Sequence, residues 1–368
     1  MKIGIYIDRI DLRGGAQRVV SNLCQGWARR GWEVHLIVAS GGSPAFAVPA
    51  AVRQHSLAAR HKRRGLLGAW DNWSHVRELG RVVTAAHLDA VLSVSGVANV
   101  HLALAKIPEH VVRIGSEHGD PGYSRLPAHK ELFRRWLYPR LDALVCPTKE
   151  AADCLLRAYP GTRTRGIHNW LTWPLPRSVG SSTLTARRSP ERKIFVACGR
   201  LDKLKGFRNL ITMFAGVSNR LPDWDLIIMG EGEDRPQLEA LVKKAGLADR
   251  ISLPGWVADV GAIYRDGDLF LFPSFTEGFA LVLAESMACG LPCLSYDCKV
   301  GPSEIIRDGV DGVLISVGDE KAFMAAMVRL AEDESTRRKF ASACQEVLAR
   351  FSEEAIQPHW DDLLRRKR

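Results

Sequence analysis

The stretch Leu269-Phe-Leu-Phe-Pro-Ser-Phe-Thr-Glu277-Gly-Phe-Ala-Leu-Val-Leu-Ala-Glu285-Ser-Met-Ala-Cys-Gly-Leu-Pro-Cys293-Leu-Ser295 reads as a strand, a helix and a second strand. Residues 269–272 are a short, uninterrupted apolar run, the pattern of a strand buried on both faces. Residues 280–289 are apolar on almost every side, so their helix should be buried. Residues 293–295 read as the next strand, parallel to the first. The same alternation surrounds this unit, with strands expected at 194–198, 226–229, 251–253 and 312–315. Helices are expected at 207–219, 235–245, 321–332 and 335–350.

The first half of the chain repeats the alternation independently. Strands are expected at 3–7, 34–39, 90–94, 111–115 and 143–146. One helix is expected over 17–30, closing at Gly31, and another over 149–158, with Thr148 as its cap. Two such series predict an α/β protein of two doubly wound, Rossmann-like domains. Ligands of these sheets bind beyond the carboxyl ends of the strands, so the expected site is a cleft between two facing domains. The expected boundaries are 1–175 for the first domain and 190–350 for the second. A Pro-, Ser- and Thr-rich linker over 173–192 joins them, and 351–368 is expected to pack back on the first domain.

Composition narrows the class. The chain has 368 residues, of which 46% are apolar and 25% charged, too apolar for a disordered chain. No apolar run approaches the ~18–20 residues that cross a bilayer. The opening residues 1–8 read as a buried strand rather than a signal peptide. Eight cysteines occur without a CxxC pair, which points to buried thiols in a reducing cytoplasm. The net charge of +10 is unevenly distributed. Residues 1–180 hold 25 basic and 13 acidic side chains; the remainder holds 26 and 28. A one-sided basic half suits a polyanionic partner. Its densest patches, Arg60-His-Lys-Arg-Arg64 ahead of Trp70 and Trp73, and Arg134-Arg-Trp-Leu-Tyr-Pro-Arg140, mix cations with aromatics. That mixture suits an anionic membrane surface, or else solvated helix faces over buried rings. No nucleic-acid module is visible.

Three segments carry the chemistry. Arg13-Gly14-Gly15-Ala16 joins a strand to a helix and lets a ligand approach the backbone, or forms a structural turn. Gly199-Arg200-Leu-Asp-Lys-Leu-Lys205-Gly206 puts a guanidinium and an ammonium on one loop, which suits a diphosphate. In the 269–295 stretch, Glu277 lies in the loop before the helix and Glu285 inside it. A buried carboxylate needs donors, so Glu285 meets either ligand hydroxyls or a core arginine. Glu277 meets a ligand or caps the helix. Backbone N–H groups near Phe279, Ala280 and Leu281, after Gly278, open the helix and can meet anionic oxygen.

The ordered set Gly-Gly-Ala, Gly-Arg-Leu-x3-Lys-Gly and Glu-Gly-Phe-x5-Glu resembles the retaining glycosyltransferases of family four, of the bacterial surface-polysaccharide type. Ser116-Glu-His-Gly-Asp-Pro121, Ile228-Met-Gly-Glu-Gly232 and Gly301-Pro-Ser-Glu-Ile-Ile306 add to the likeness. The resemblance implies the GT-B fold and transfer of a hexosyl unit, with retention, from a nucleotide-diphosphate sugar. It implies a UDP-sugar as donor and a glycan or lipid-linked acceptor in polysaccharide or lipopolysaccharide synthesis. A GDP-mannose-dependent mannosyltransferase is the alternative, with an epimerase or hydrolase on the same fold further behind. Glu285 would hold the ribose and Glu277 the transferred sugar. Arg200 and Lys205, beside Gly199, would hold the diphosphate. Gly15 would sit near the donor, and His118 would reach the sugar, although His118 alone also reads as a hydrogen-bonded structural residue. Arg200 and Lys205 would stand in for a divalent cation at the diphosphate, so neither a metal nor a cofactor is expected. The implied location is cytoplasmic, peripheral on the inner membrane face. Gln17, Trp170 and the long 173–192 segment depart from the family pattern.

Overall fold

The computed structural model describes residues 1–57, 66–120, 127–175, 189 and 191–365. The Arg60–Arg64 run, the side chain of Trp70 and most of the 173–192 segment lie outside them. The chain divides into two compact units, Met1–Trp170 with Glu353–Arg368, and Leu171–Ser352.

In the first unit the elements run β1 (Lys2–Arg9), α1 (Gly15–Arg29), β2 (Glu33–Ser40), β3 (Arg53–Ser56), α2 (Leu66–Ala85), β4 (Ala90–Val94), α3 (Gly96–Leu104), β5 (Val112–Ser116), α4 (Ala128–Leu137), β6 (Ala143–Cys146), α5 (Lys149–Ala158) and β7 (Thr164–Gly166). The strands form one parallel sheet in the order β3-β2-β1-β4-β5-β6-β7. Central strands are mainly apolar because helices cover both faces. The edge strands β3 and β7 are polar and partly exposed, so no apolar run marked them in the sequence. Thr148 caps α5, accepting from the Ala151 N–H at 3.2 Å.

The second unit runs β8 (Lys193–Cys198), α6 (Phe207–Val217), β9 (Trp224–Met229), α7 (Arg235–Lys244), β10 (Ile251–Gly255), α8 (Val260–Asp266), β11 (Leu269–Phe272), α9 (Leu281–Ala288), β12 (Cys293–Asp297), α10 (Pro302–Ile305), β13 (Gly312–Ser316), α11 (Glu320–Glu332), α12 (Glu334–Cys344) and α13 (Glu346–Phe351). Its parallel sheet has the order β10-β9-β8-β11-β12-β13. The single helix expected over 335–350 is two. It breaks at Gln345, just after the buried Cys344, whose Sγ lies 3.1 Å from the Asp311 carbonyl oxygen. The turn lets Val347 and Phe351 point inward.

The last helix, α14 (Glu353–Arg365), belongs to the first unit. Gln357 accepts from the Trp27 indole N–H at 3.0 Å, and Trp360 meets Trp27 edge-on at 5.6 Å. Among the described residues no helix is long and apolar enough to cross a membrane.

Candidate active site

In each unit the strand order reverses about the first strand, between β1 and β4 and between β8 and β11. Loops leaving those two strands diverge to opposite faces and open a crevice at their carboxyl ends. In the second unit, β8 feeds the loop 199–206 and β11 feeds the loop 273–280. Residues 72 positions apart in sequence therefore meet: Lys205 Nζ lies 2.5 Å from Glu277 Oε1. The carboxylate is 8% exposed and the ammonium 21%, so the pair is largely removed from water.

Asp202 organises the cationic loop, a role its sequence context did not suggest. Its Oδ1 accepts from the N–H groups of Leu204 and Lys205 at 3.0 and 3.2 Å. Its Oδ2 accepts from Arg200 Nε at 2.5 Å. Arg200 remains 68% exposed, so its guanidinium has donors left for a ligand. The loop closes at Gly206, whose φ of +69° is left-handed and whose Cβ would fall 2.1 Å from the Pro273 carbonyl oxygen. Only glycine lets the two loops approach this closely. Gly199 begins the loop behind them, backed by Gly230.

Glu277 does not cap α9. Its N-cap is Ala280, in left-handed conformation at φ 59° and ψ 59°, with no side chain bonded to the helix start. A non-glycine residue there costs on the order of 1–2 kcal/mol, and such strain concentrates at functional sites. Gly278, Phe279, Ala280 and Leu281 surround this turn. The Phe279 ring itself is buried, edge-on to Phe351 at 5.3 Å, which leaves only its backbone for a ligand. Glu285 lies one turn into α9 and is buried. It stands among Tyr264, Cys289 and Arg265: burial first, with Arg265 opposing and Glu285 adding, pushes the Cys289 thiol up to about 11.

The first unit carries the other two expected residues. Gly15 opens α1, and a Cβ there would meet no atom within 4 Å. The protein's own packing does not demand glycine at that position. His118 follows β5, with its Nε2 2.8 Å from Ser116 Oγ. Burial pushes its imidazole down to about 4, so the ring is neutral at pH 7 and acts as a hydrogen-bonding group rather than a cation. Its neighbour Glu117, which no sequence motif singled out for a role of its own, anchors a buried polar knot. One oxygen accepts from Asn99 Nδ2 at 3.2 Å, from Arg134 Nη2 at 2.5 Å and from the Tyr138 hydroxyl. Fully buried Asn99 also donates to the Ser116 carbonyl and accepts from the Ser116 N–H. The Arg134–Arg140 segment therefore corrects one expectation: Arg134 and Tyr138 turn inward to Glu117, whereas Arg135, Trp136, Pro139 and Arg140 face out.

Two family profiles cover most of the chain: "Glycosyl transferases group 1" matches residues 185–347 and "Glycosyltransferase Family 4" matches residues 13–171. The lipopolysaccharide core biosynthesis glycosyltransferase LpsD of Rhizobium meliloti is 33% identical over 66% of this chain and 71% of its own length. The chain belongs to the family-four glycosyltransferases. The amylovoran biosynthesis glycosyltransferase AmsD of Erwinia amylovora is 26% identical over 99% of both chains. Among solved structures, a mutant of S. aureus TarM in complex with Fondaparinux, alpha-GlcNAc-glycerol and UDP superposes with a TM-score of 0.82 at 12% identity over 99% of both chains, which shows a shared fold. The two parallel-sheet α/β units are those of GT-B glycosyltransferases.

Two measurements follow from the first unit of this glycosyltransferase. Between the ordinary histidine value of 6.5 and about 4, the unfolded chain takes up protons that folded His118 and His101 refuse. Both values are depressed by burial, so folding stability drops as pH falls through that window. Urea midpoints should be lower at pH 5 than at pH 7, and the gap should narrow in His101→Gln. An unchanged gap would show that the His101 imidazole is not a cause. Secondly, Gly15→Ala should leave the thermal midpoint intact or raise it, since alanine favours a helix by up to about 1 kcal/mol over glycine. If Gly15 faces the donor, the same variant should lose activity; full activity would remove Gly15 from the site.

Proposed function

We propose that this enzyme transfers a hexosyl unit, with retention, from a UDP-sugar to a glycan or lipid-linked acceptor in cell-surface polysaccharide or lipopolysaccharide synthesis. The observation that carries the reading is the Lys205–Glu277 pair beside Arg200 at the switch point of the second sheet. Two cations on one loop match a diphosphate, and a carboxylate facing them matches sugar hydroxyls. The UDP in the TarM structure and the names of LpsD and AmsD support the choice of donor and pathway class.

On binding, the diphosphate takes over Lys205 while Glu277 accepts hydrogen bonds from the sugar. Glu285 holds the ribose, and the turn at Gly278–Leu281 offers backbone N–H groups to the phosphate. The acceptor oxygen forms its bond to the anomeric carbon as that carbon's bond to the diphosphate oxygen breaks. The departing diphosphate takes the electron pair, and one of its oxygens takes the acceptor proton. Positive charge on the sugar and growing negative charge on the diphosphate define the transition state, so fixed cations lower the barrier. Arg200 and Lys205 perform the task a divalent cation performs elsewhere. His118, neutral, donates or accepts a hydrogen bond at the sugar. The basic first unit works at an anionic membrane face, where lipid-linked sugars are presented.

A turnover screen over UDP- and GDP-sugars in the presence of a chelator tests this, with NMR of the product's anomeric configuration. Turnover with a UDP-hexose and retained configuration is expected. Inversion, a requirement for metal, or exclusive use of a GDP-sugar would refute the corresponding part.

A further inference from the structure

Helix α4 leaves three large apolar side chains in water. Leu132, Phe133 and Trp136 are 69%, 45% and 62% exposed. Their spacing of i, i+1 and i+4 places them on one face. The opposite face carries Glu131 and Arg134, which turn inward: Glu131 accepts from the Tyr159 hydroxyl at 2.5 Å, and Arg134 is held by Glu117. Glu131 and Arg134 are thus spent on the interior beside the buried Leu137, while Leu132, Phe133 and Trp136 are left outside. Contiguous exposed apolar surface of this kind marks an interaction site.

A second, independent feature adjoins it. An open groove of about 700 Å³ lies at the amino ends of β5 and β6, lined by Lys106, Arg113, Arg140 and one acid, Glu109, among others. Arg140 belongs to both features: its guanidinium sits 4.1 Å from the centre of the Trp136 ring. Burial holds the Arg113 guanidinium below its ordinary value, Asp142 opposes that, and the positive charge of Arg140 adds to it. Arg113 and Arg140 line the same groove, so one phosphate seated there can accept from both guanidinium groups. The groove is at the end of the sheet opposite Gly15 and His118, so a ligand there does not compete for the reacting end.

We propose that the outer face of α4 and the Lys106–Arg113–Arg140 groove form one docking surface for an anionic phospholipid bilayer, with Leu132, Phe133 and Trp136 entering the interface and a headgroup phosphate seated in the groove. The inference rests on the membrane-face reading above and names the surface that performs it. Charge decides between lipid and a second copy of this chain. A two-fold contact places the same patch on both sides, so Arg135 and Arg140 would face their own copies. An anionic bilayer instead attracts them and accepts the tryptophan at its boundary.

The test is flotation of the full-length protein with vesicles of phosphatidylcholine alone and of equimolar phosphatidylcholine and phosphatidylglycerol. Wild type is expected to float only with the anionic vesicles, and less as salt is raised. Phe133→Ser/Trp136→Ser should remain unbound, and Arg140→Ala should bind roughly fivefold more weakly. Thermal stabilisation by UDP, equal to that of wild type, checks that each variant is folded. If the double variant floats as wild type does, α4 is not the docking surface while the membrane reading survives. If wild type floats with neither vesicle, both fail. A concentration-dependent dimer that the double variant abolishes would assign the face to a second copy and overturn the proposal.

Discussion

Lys205→Ala is expected to lower turnover by about 10²–10³-fold, the usual effect of losing one preorganised donor to a developing anion. Lys205 sits on the loop after β8, and its ammonium is within 2.5 Å of Glu277 on the loop after β11. Removing it also strands a carboxylate that is only 8% exposed. Breaking a buried pair by deleting one partner is strongly destabilising, whereas deleting both is far better tolerated. The Lys205→Ala/Glu277→Ala double variant should therefore regain much of the stability that the single variant loses, yet remain inactive. Thermal unfolding and steady-state turnover on the same three proteins separate the two effects. Recovery of activity together with stability would mean that the pair serves the fold alone.

Gly230→Ala is expected to destabilise the second unit by on the order of 3–5 kcal/mol. Gly230 follows β9 at φ +134°, a conformation that side chains rarely adopt. A Cβ there would lie 1.9 Å from the Gly199 carbonyl oxygen, a backbone atom that cannot rotate away. On its other side Gly230 is tied to β10, donating its N–H to the Gly255 carbonyl at 2.9 Å. Because Gly199 starts the loop that carries Arg200 and Lys205, relief of the clash must displace the cations. Denaturant unfolding should show the loss, and any residual folded protein should turn over slowly. A wild-type midpoint would show that the β8–β9 register is looser than these distances allow.

The parts of the molecule that were legible in the sequence are those set by local pattern. The apolar runs of β8, β9, β11 and β12 have no polar interruption over most of their length because both sheet faces are covered. The stop of α1 at Gly31, with φ +76°, follows from local backbone chemistry. Edge strands β3 (Arg-Gln-His-Ser) and β7 (Thr-Arg-Gly) carry no such run, since one side meets water. Long-range pairing was equally hidden. Arg134 looked like a surface cation beside aromatics, and only its approach to Glu117, 17 residues earlier, turns it inward. Asp202 stands inside a motif read for its cations, so its carboxylate passed unnoticed although it holds Arg200 and two backbone N–H groups. The meeting of Lys205 with Glu277 depends on β8 and β11 being neighbours, a property of sheet order that no window of sequence contains.

The central claim is that the switch point of the second sheet grips the donor's diphosphate through Lys205 and its sugar through Glu277. Calorimetric titration of wild type, Lys205→Ala and Glu277→Gln with UDP and with a UDP-hexose, all in chelator, tests it most directly. The account predicts that Lys205→Ala weakens both ligands, and that Glu277→Gln weakens the UDP-hexose while UDP binds as well as before or better. Wild-type affinities for both ligands in Lys205→Ala would contradict it.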